Sequence, residues 1–403
     1  NNINYGQDPQ HYRVLKEAER RNFLYAFQMF PIWAITNLTA RTNFPLNPGL
    51  FDLLIIDEAS QCDIPSAIPL LYRAKKVVII GDPNQLRHVA SLHDNLDKNI
   101  GGKYHVGLEA FSYISTSLYD LGERSVGLHP GPILLNEHYR SDPRIIAFSN
   151  KNFYGNKLVI KTDLTQKGFK KAFLNQRGGI HWLNIKGKYE RPPNGSAYNL
   201  EELNQLQVLV PKILKSLDDE GYPKATLGIV TPFRAQENRI AEWLGRAYKS
   251  SERIKSGTAH QFQGDECDVM VFSPVLSSGI PKGTLNWLES TCNLLNVAIT
   301  RARVNLVIVG DFDFCYQELK PQSVYSCLAK YVKDELNGVY TTMEEVPIIG
   351  GDRFEILGTI LDPSNPEFNR TVYFFSNCYC NDFVDWVDPY FTQEIIDLFD
   401  DLY

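Results

Sequence analysis

The segment Phe51-Asp-Leu-Leu-Ile-Ile-Asp57-Glu58-Ala59-Ser60-Gln61 is an apolar run that ends in two adjacent acids. At the C-terminal edge of a parallel strand, such acids face the ligand crevice. The first, Asp57, can hold Mg2+ through its oxygens, and the second, Glu58, can take the proton of an attacking water. For Asp-Glu alone, a strand that simply ends in a charged turn is the plain alternative. Asp-Glu-Ala-x-Gln after an apolar run is far more specific. Further on, Val77-Val-Ile-Ile-Gly81-Asp82-Pro83-Asn84-Gln85-Leu86 is a second buried strand ending in a turn. Asp-Pro-Asn is also good β-turn chemistry, and the two readings are compatible.

On these two elements the sequence resembles the superfamily 1 helicases, whose Walker B element reads DExxQ and whose next motif reads GDxxQL. Within that superfamily it resembles the branch typified by the nonsense-mediated-decay helicase. The resemblance implies that Gln61 and Asp82 lie at the nucleotide and that Gln85 senses the γ-phosphate. Leu135-Asn-Glu-His-Tyr139-Arg140-Ser-Asp-Pro143 resembles the family's Y-R element, which implies Tyr139 stacking on adenine and Arg140 reaching the γ-phosphate. Phe262-Gln263-Gly264-Asp265-Glu266 is similar to motif V, with Gly264 and Glu266 at the nucleotide and the acid near the ribose. Asn296-Val-Ala-Ile-Thr300-Arg301-Ala302-Arg303 resembles motif VI, with Arg301 as arginine finger. Such a finger stabilises charge on the transferring phosphoryl group. A solvated helix face is the alternative for this arginine pair.

Three candidates for nucleic-acid contact follow from the same resemblance. Thr36, in Ile35-Thr-Asn-Leu-Thr-Ala40, sits where the family has a phosphate-contacting threonine. Thr231, in Thr-Pro-Phe-Arg-Ala-Gln236, matches motif IV and reads as a helix cap with Pro232 at the first position. Such a helix start offers N–H groups to a backbone phosphate, and a well-capped surface helix fits these residues equally. His260 stands in motif V where the family often has an acid. Asn199-Leu-Glu201-Glu202 resembles a further family element, and its spacing reads as a capping box in which Glu202 bonds back to the cap.

The P-loop pattern G-x-x-x-x-G-K-[ST] does not occur in these 403 residues. Asn99-Ile-Gly101-Gly102-Lys103-Tyr104 lacks the first glycine and the hydroxyl, and it follows the GDxxQL motif. The N–H groups of that loop cradle the phosphates and its lysine offsets their charge. Three explanations are open: a longer helicase of which this chain, starting at Asn1, is a piece; a motor completed by a partner; or a degenerate scaffold. The expectation is therefore ATP hydrolysis with Mg2+ as part of a complete protein, with this chain inactive by itself. The competing non-enzyme reading is a nucleic-acid-binding or regulatory module.

The elements that must position these residues are short apolar strands alternating with helical patterns, which points to a mostly parallel α/β sheet. Strands are expected at 51–57, 77–82, 180–185, 227–231, 254–258, 269–273 and 306–311. Helices are expected at 64–72, 143–150, 201–217, 235–248 and 291–303. The resemblance implies tandem RecA-like P-loop NTPase domains, parallel sheets flanked by helices, with ATP in the cleft between them. The first, at 1–110, is partial; 111–132 connects it to the second, at 133–337; an acidic, aromatic region fills 338–403. Opening and closing of the cleft would ratchet a single strand of DNA or RNA, in the 5′-to-3′ direction by resemblance alone.

The net charge of −6 hides a split. From Met343 onward thirteen acids face only Arg353 and Arg370, a net −11, so the preceding body stands at +5. A mildly basic body suits a nucleic-acid groove, which the whole-chain charge would argue against. The acidic tail reads as an appended fold or docking segment, or as a nucleic-acid mimic lying in that groove. Seven scattered cysteines without zinc spacing read as reduced thiols, and Cys378-Tyr-Cys380 alone is a weak metal signal. No apolar run is long enough to span a membrane, and a cytoplasmic, intracellular location is expected.

Overall fold

The computed structural model describes residues 25–342, apart from 28, 127–130, 163–177, 193–194, 220–221 and 250. The tail from 343, with its proposed mimicry and the Cys378/Cys380 pair, lies outside the described residues. Contacts divide the described chain into two compact units. The first runs to Pro83 and resumes at Arg87–Gly131; the second takes Asn84–Leu86 and the chain from Pro132.

In the first unit, helix α1 (Asn37–Asn43) precedes strand β1 (Phe51–Ile56), helix α2 (Ile64–Tyr72) and strand β2 (Ala74–Ile79). The two strands are parallel, with Phe51 opposite Ala74 and Ile56 opposite Ile79. α2 starts where expected because the Asp63 carboxylate accepts from Ser66 N–H at 2.8 Å, an N-cap, with a proline in the first turn. β2 begins three residues before Val77: Lys75 and Lys76 are extended by their pairing with β1, although their exposed side chains break the apolar pattern. Three further helices lie outside those expected from the sequence: α3 (Asp94–Tyr104), α4 (Leu108–Phe111) and, within the expected connection, α5 (Leu118–Val126). α5 is anchored by buried Leu118, which clusters with Ile56, Ala59 and Ala67.

In the second unit, two-residue strands β3 (Glu137–His138) and β4 (Val159–Ile160) flank helix α6 (Pro143–Phe153). Then follow β5 (Gly179–Asn184), α7 (Leu200–Asp219), β6 (Leu227–Thr231), α8 (Arg234–Tyr248), β7 (Ile254–Thr258) and β8 (Cys267–Phe272). The chain continues through α9 (Lys282–Ser290), α10 (Asn293–Thr300), β9 (Ala302–Gly310), α11 (Val324–Lys330) and β10 (Val339–Tyr340). Six of these strands form one parallel sheet in the order β10-β5-β9-β8-β6-β7. β6 and β8 are buried along their whole length, as central strands covered on both faces must be. One apolar cluster, with Phe148, Trp182, Phe262, Leu295 and Leu306, accompanies another built on Leu206, Leu209, Ile213, Ile229 and Val269.

Two boundaries matter for chemistry. The helix expected over 291–303 stops at Thr300, and β9 starts at Ala302, four residues before Leu306. Polar Arg303 and Asn305 mask the strand start in the sequence, yet Asn305 is buried in the ladder opposite Val269. Arg301 is therefore the junction between helix and strand. Only 3% of it is exposed, which overturns the solvated-face alternative. β8 likewise begins at Cys267, paired with Ala302, with a register shift before Val269. Asp268, at that shift, accepts from Thr226 N–H at 2.8 Å and from the Thr226 hydroxyl at 2.9 Å.

Candidate nucleotide and nucleic-acid sites

The two motif-bearing turns of the first unit lie against each other. Ala59 N–H donates to Ile80 C=O and Ile80 N–H to Ile56 C=O, both at 2.8 Å. A Cβ on Gly81 would stand 3.0 Å from Ser60 N and 3.0 Å from the Tyr119 ring, so only glycine permits this approach. Asp57 is exposed just past β1, and its Oδ1 accepts from Glu58 N–H at 2.8 Å. Glu58 has left-handed backbone (φ 48°, ψ 39°), a conformation that costs a non-glycine residue roughly 1–2 kcal/mol. Gln61 closes the following three-residue turn, its N–H donating to Glu58 C=O at 2.8 Å. Asp82 follows Gly81 closely enough for its charge to raise the Tyr119 phenol, after the larger effects of burial and Glu123.

Among the described residues no cluster of three or more His, Cys, Asp or Glu could cage a metal ion. A site for Mg2+, which keeps several waters and takes phosphate oxygens as ligands, needs only one or two protein carboxylates. Asp57 is the residue that would hold it.

In the second unit the candidates Glu266 and Arg301 lie at the opposite end of the sheet from the usual ligand edge. Glu266 immediately precedes β8 and Arg301 immediately precedes β9, so both sit at the strands' N-terminal ends. Arg140 Nε lies 2.6 Å from Glu266 Oε2, and Arg303 Nε lies 3.5 Å from Glu266 Oε1. Arg303 also approaches Asp268 at 3.6 Å. Glu266, expected at the ribose, is thus engaged with two guanidinium groups, and Arg140, expected at the γ-phosphate, is engaged with Glu266. Opposite charges on neighbouring half-buried side chains pair where no phosphate competes. Gly264 has φ 83°, which lets the chain turn sharply before Glu266.

The Y-R turn is held by residues that motif spacing alone does not reveal. His138 is pushed down to about 4 by burial and then by Arg140, so its ring stays neutral. Its Nε2 accepts from Ser141 N–H at 3.0 Å. Asp142 is fully buried; it caps α6, pairs with Arg144 at 3.0 Å, and donates its N–H to Arg303 C=O at 2.7 Å. Tyr139 is 50% exposed, and its hydroxyl donates to Glu137.

Arg301 Nη2 lies 3.3 Å from Gln85 Oε1, and Nη1 lies 3.4 Å from Asp265 C=O. Two asparagines of α10 hold the same short segment: Asn293 donates to Gln85 C=O and Asn296 to Asn84 C=O, both at 2.9 Å. Asn296 is a buried polar residue inside an apolar helix, a signal that could have marked it from sequence.

The nucleic-acid candidates fare differently. Thr36 is exposed and caps α1, accepting from Thr39 N–H at 3.4 Å. Thr231 is fully buried and does not cap α8, which starts at Arg234; Ser196 Oγ accepts from Ala235 N–H at 2.7 Å instead. Its burial follows from its place on β6, covered on both faces. His260 is exposed in the turn after β7. Asn199 does cap α7, accepting from Glu201 N–H at 3.1 Å and Glu202 N–H at 3.2 Å. The return bond of a capping box is absent: Asn199 N–H donates to Gln236 at 3.0 Å, and buried Glu202 accepts from Ser273 at 2.5 Å and Val275 N–H at 3.1 Å.

Two family profiles match this geometry, each described as an AAA domain, over residues 36–90 and 116–313. Helicase sen1 of Schizosaccharomyces pombe is 30% identical over 269 residues, 65% of this chain and 15% of that protein. Uncharacterized ATP-dependent helicase MG140 of Mycoplasma genitalium is 28% identical over 312 residues, 72% of this chain and 26% of that protein. Regulator of nonsense transcripts 1 of Dictyostelium discoideum is 26% identical over 310 residues, 74% of this chain and 21% of that protein. The chain thus spans about a quarter or less of the length of these curated relatives. With the parallel α/β units and the ordered motifs, these likenesses make the chain a member of the superfamily 1 helicases of the nonsense-mediated-decay and Sen1 type.

Proposed function

We propose that this chain is motor machinery of an ATP-dependent helicase that hydrolyses ATP and moves on single-stranded DNA or RNA. The observation that supports the reading is the 3.3 Å approach of Arg301 Nη2 to Gln85 Oε1, the two residues matched by resemblance to the arginine finger and the γ-phosphate sensor. Asp57 would hold Mg2+, which would neutralise phosphate charge when bound, and Glu58 takes the proton of the attacking water. Gln61 and Asp82 line the same pocket. Tyr139 stacks on adenine, and Gly264 lets Glu266 turn towards the ribose once Arg140 leaves it for the γ-phosphate. Arg301 stabilises the charge that develops on the phosphoryl oxygens.

ATP is held between RecA-like domains, as the family resemblance implies, with the phosphate cradle supplied by a further segment or a partner protein. Cycles of closure ratchet the strand past Thr36 and His260. The test is strand-stimulated ATP hydrolysis with Mg2+, measured for this chain alone, with candidate partners, and within any longer form. Glu58→Gln strongly lowers turnover while leaving nucleotide binding in place. Turnover unchanged by that substitution overturns the mechanism.

A further inference from the structure

Because the sheet of the second unit is parallel throughout, the segments that follow β5, β6 and β8 all emerge at one edge. Each delivers an aromatic residue there. Tyr189 follows β5, and its hydroxyl lies 3.2 Å from Thr284 Oγ1 of α9. Phe233 follows β6 and caps α8. Trp287 is carried by α9, and its ring stands 5.6 Å from that of Phe233 at 47°. Leu288 beside it is fully buried and anchors the helix, whereas Trp287 is 41% exposed. Exposed Lys188 adjoins Tyr189, exposed Arg234 adjoins Phe233 and exposed Lys282 opens α9, with the half-buried acids Glu190, Glu237 and Glu289 on the same segments. His260, after β7, emerges at the same edge.

A rigid, partly exposed indole braced by another ring, with exposed cations on the adjoining segments, has the chemistry that stacks an unpaired base while holding its phosphates. Every base has such a face, so recognition of this kind tolerates any sequence. We propose that Trp287 is a base-stacking platform for single-stranded nucleic acid at the C-terminal edge of the second unit's sheet, with Lys188, Arg234 and Lys282 meeting the backbone. The proposal rests on the reading that the protein binds a single strand, and it adds a residue that none of the motifs contains.

The test titrates the full chain with labelled oligo-dT, oligo-U and an abasic strand of equal length, over a range of salt concentrations. Trp287→Ala weakens binding to oligo-dT and oligo-U by about 5- to 150-fold, the worth of one stacked base, and leaves the salt slope unchanged. Trp287→Phe restores most of the affinity, which separates stacking from misfolding. The abasic strand binds wild type and Trp287→Ala alike, and oligo-dT quenches the wild-type tryptophan emission more than that of Trp287→Phe. Undiminished binding by Trp287→Ala overturns the platform but leaves strand binding standing. An equal loss on the abasic strand also overturns it, since stacking needs a base. If wild type binds no strand at all, the underlying reading falls and the platform with it.

Discussion

Arg140 and Glu266 form an ion pair, Nε to Oε2 at 2.6 Å, in which the arginine of one motif is held by the carboxylate of another. Arg303 stands 3.5 Å from the second carboxylate oxygen. The side chains of Arg140 and Arg303 are only 15% and 14% exposed, so removing the acid leaves two poorly hydrated cations without it. Glu266→Ala is expected to destabilise the fold by about 1–3 kcal/mol, read as a lower unfolding midpoint in urea. Arg140→Ala costs less, because Arg303 still faces the carboxylate. Equal losses from the two substitutions contradict this picture.

Catalysis is expected to separate by role. Within the complete motor, Glu58→Gln lowers ATP turnover by about 10²- to 10⁴-fold, the usual worth of a general base. Arg301→Ala lowers it by about 10³- to 10⁵-fold. Nucleotide affinity, measured by equilibrium titration, changes far less than turnover in both cases.

Gly81→Ala forces a methyl group to within 3.0 Å of Ser60 N, which belongs to the backbone and cannot step aside. The acid-bearing turns must then separate. A loss of about 1–3 kcal/mol in thermal or urea unfolding is expected, with turnover falling as well. Gly102→Ala, in helix α3 with nothing within 4 Å, serves as the control: turnover stays unchanged and stability does not fall.

Burial raises the Glu202 carboxyl from its ordinary 4.5 to about 8, against the hydrogen bonds from Ser273, Val275 and Asn199. The folded protein therefore keeps a proton that the unfolded chain releases. Stability from this group is complete below about 4.5 and is lost as pH rises through about 8. His138 has the reverse sign: held down at about 4 from 6.5, it costs stability as pH falls below 6.5. The clean window is thus pH 6.5 to 8. Urea unfolding across it is expected to show falling stability in the wild type and a flatter profile in Glu202→Gln; identical slopes refute the assignment.

Sequence and structure meet unevenly along the chain. β6 and β7 run over the residues that their apolar patterns mark, and α2 over the residues between its cap and its last apolar turn. β2, β8 and β9 begin earlier than hydropathy indicates, because Lys76 pairs with Leu53, Cys267 with Ala302 and Asn305 with Val269, cross-strand contacts which a single sequence does not display. Asn199 and Glu202 have the spacing of a capping box, yet Glu202 is drawn to Ser273 and Val275 by folding of the distant β8 end.

What the sequence by itself determined is the inventory of chemistry: paired acids after an apolar strand, a glycine-led second turn, and two arginine-bearing motifs in family order. Those are local patterns, and local patterns survive in one dimension. Tertiary structure alone decided which side chains meet. It buried Thr231 on a central strand, set Arg301 between helix and strand beside Gln85, and paired Arg140 with Glu266. Such pairings join residues far apart in the chain, brought together when parallel strands align and bury their apolar faces.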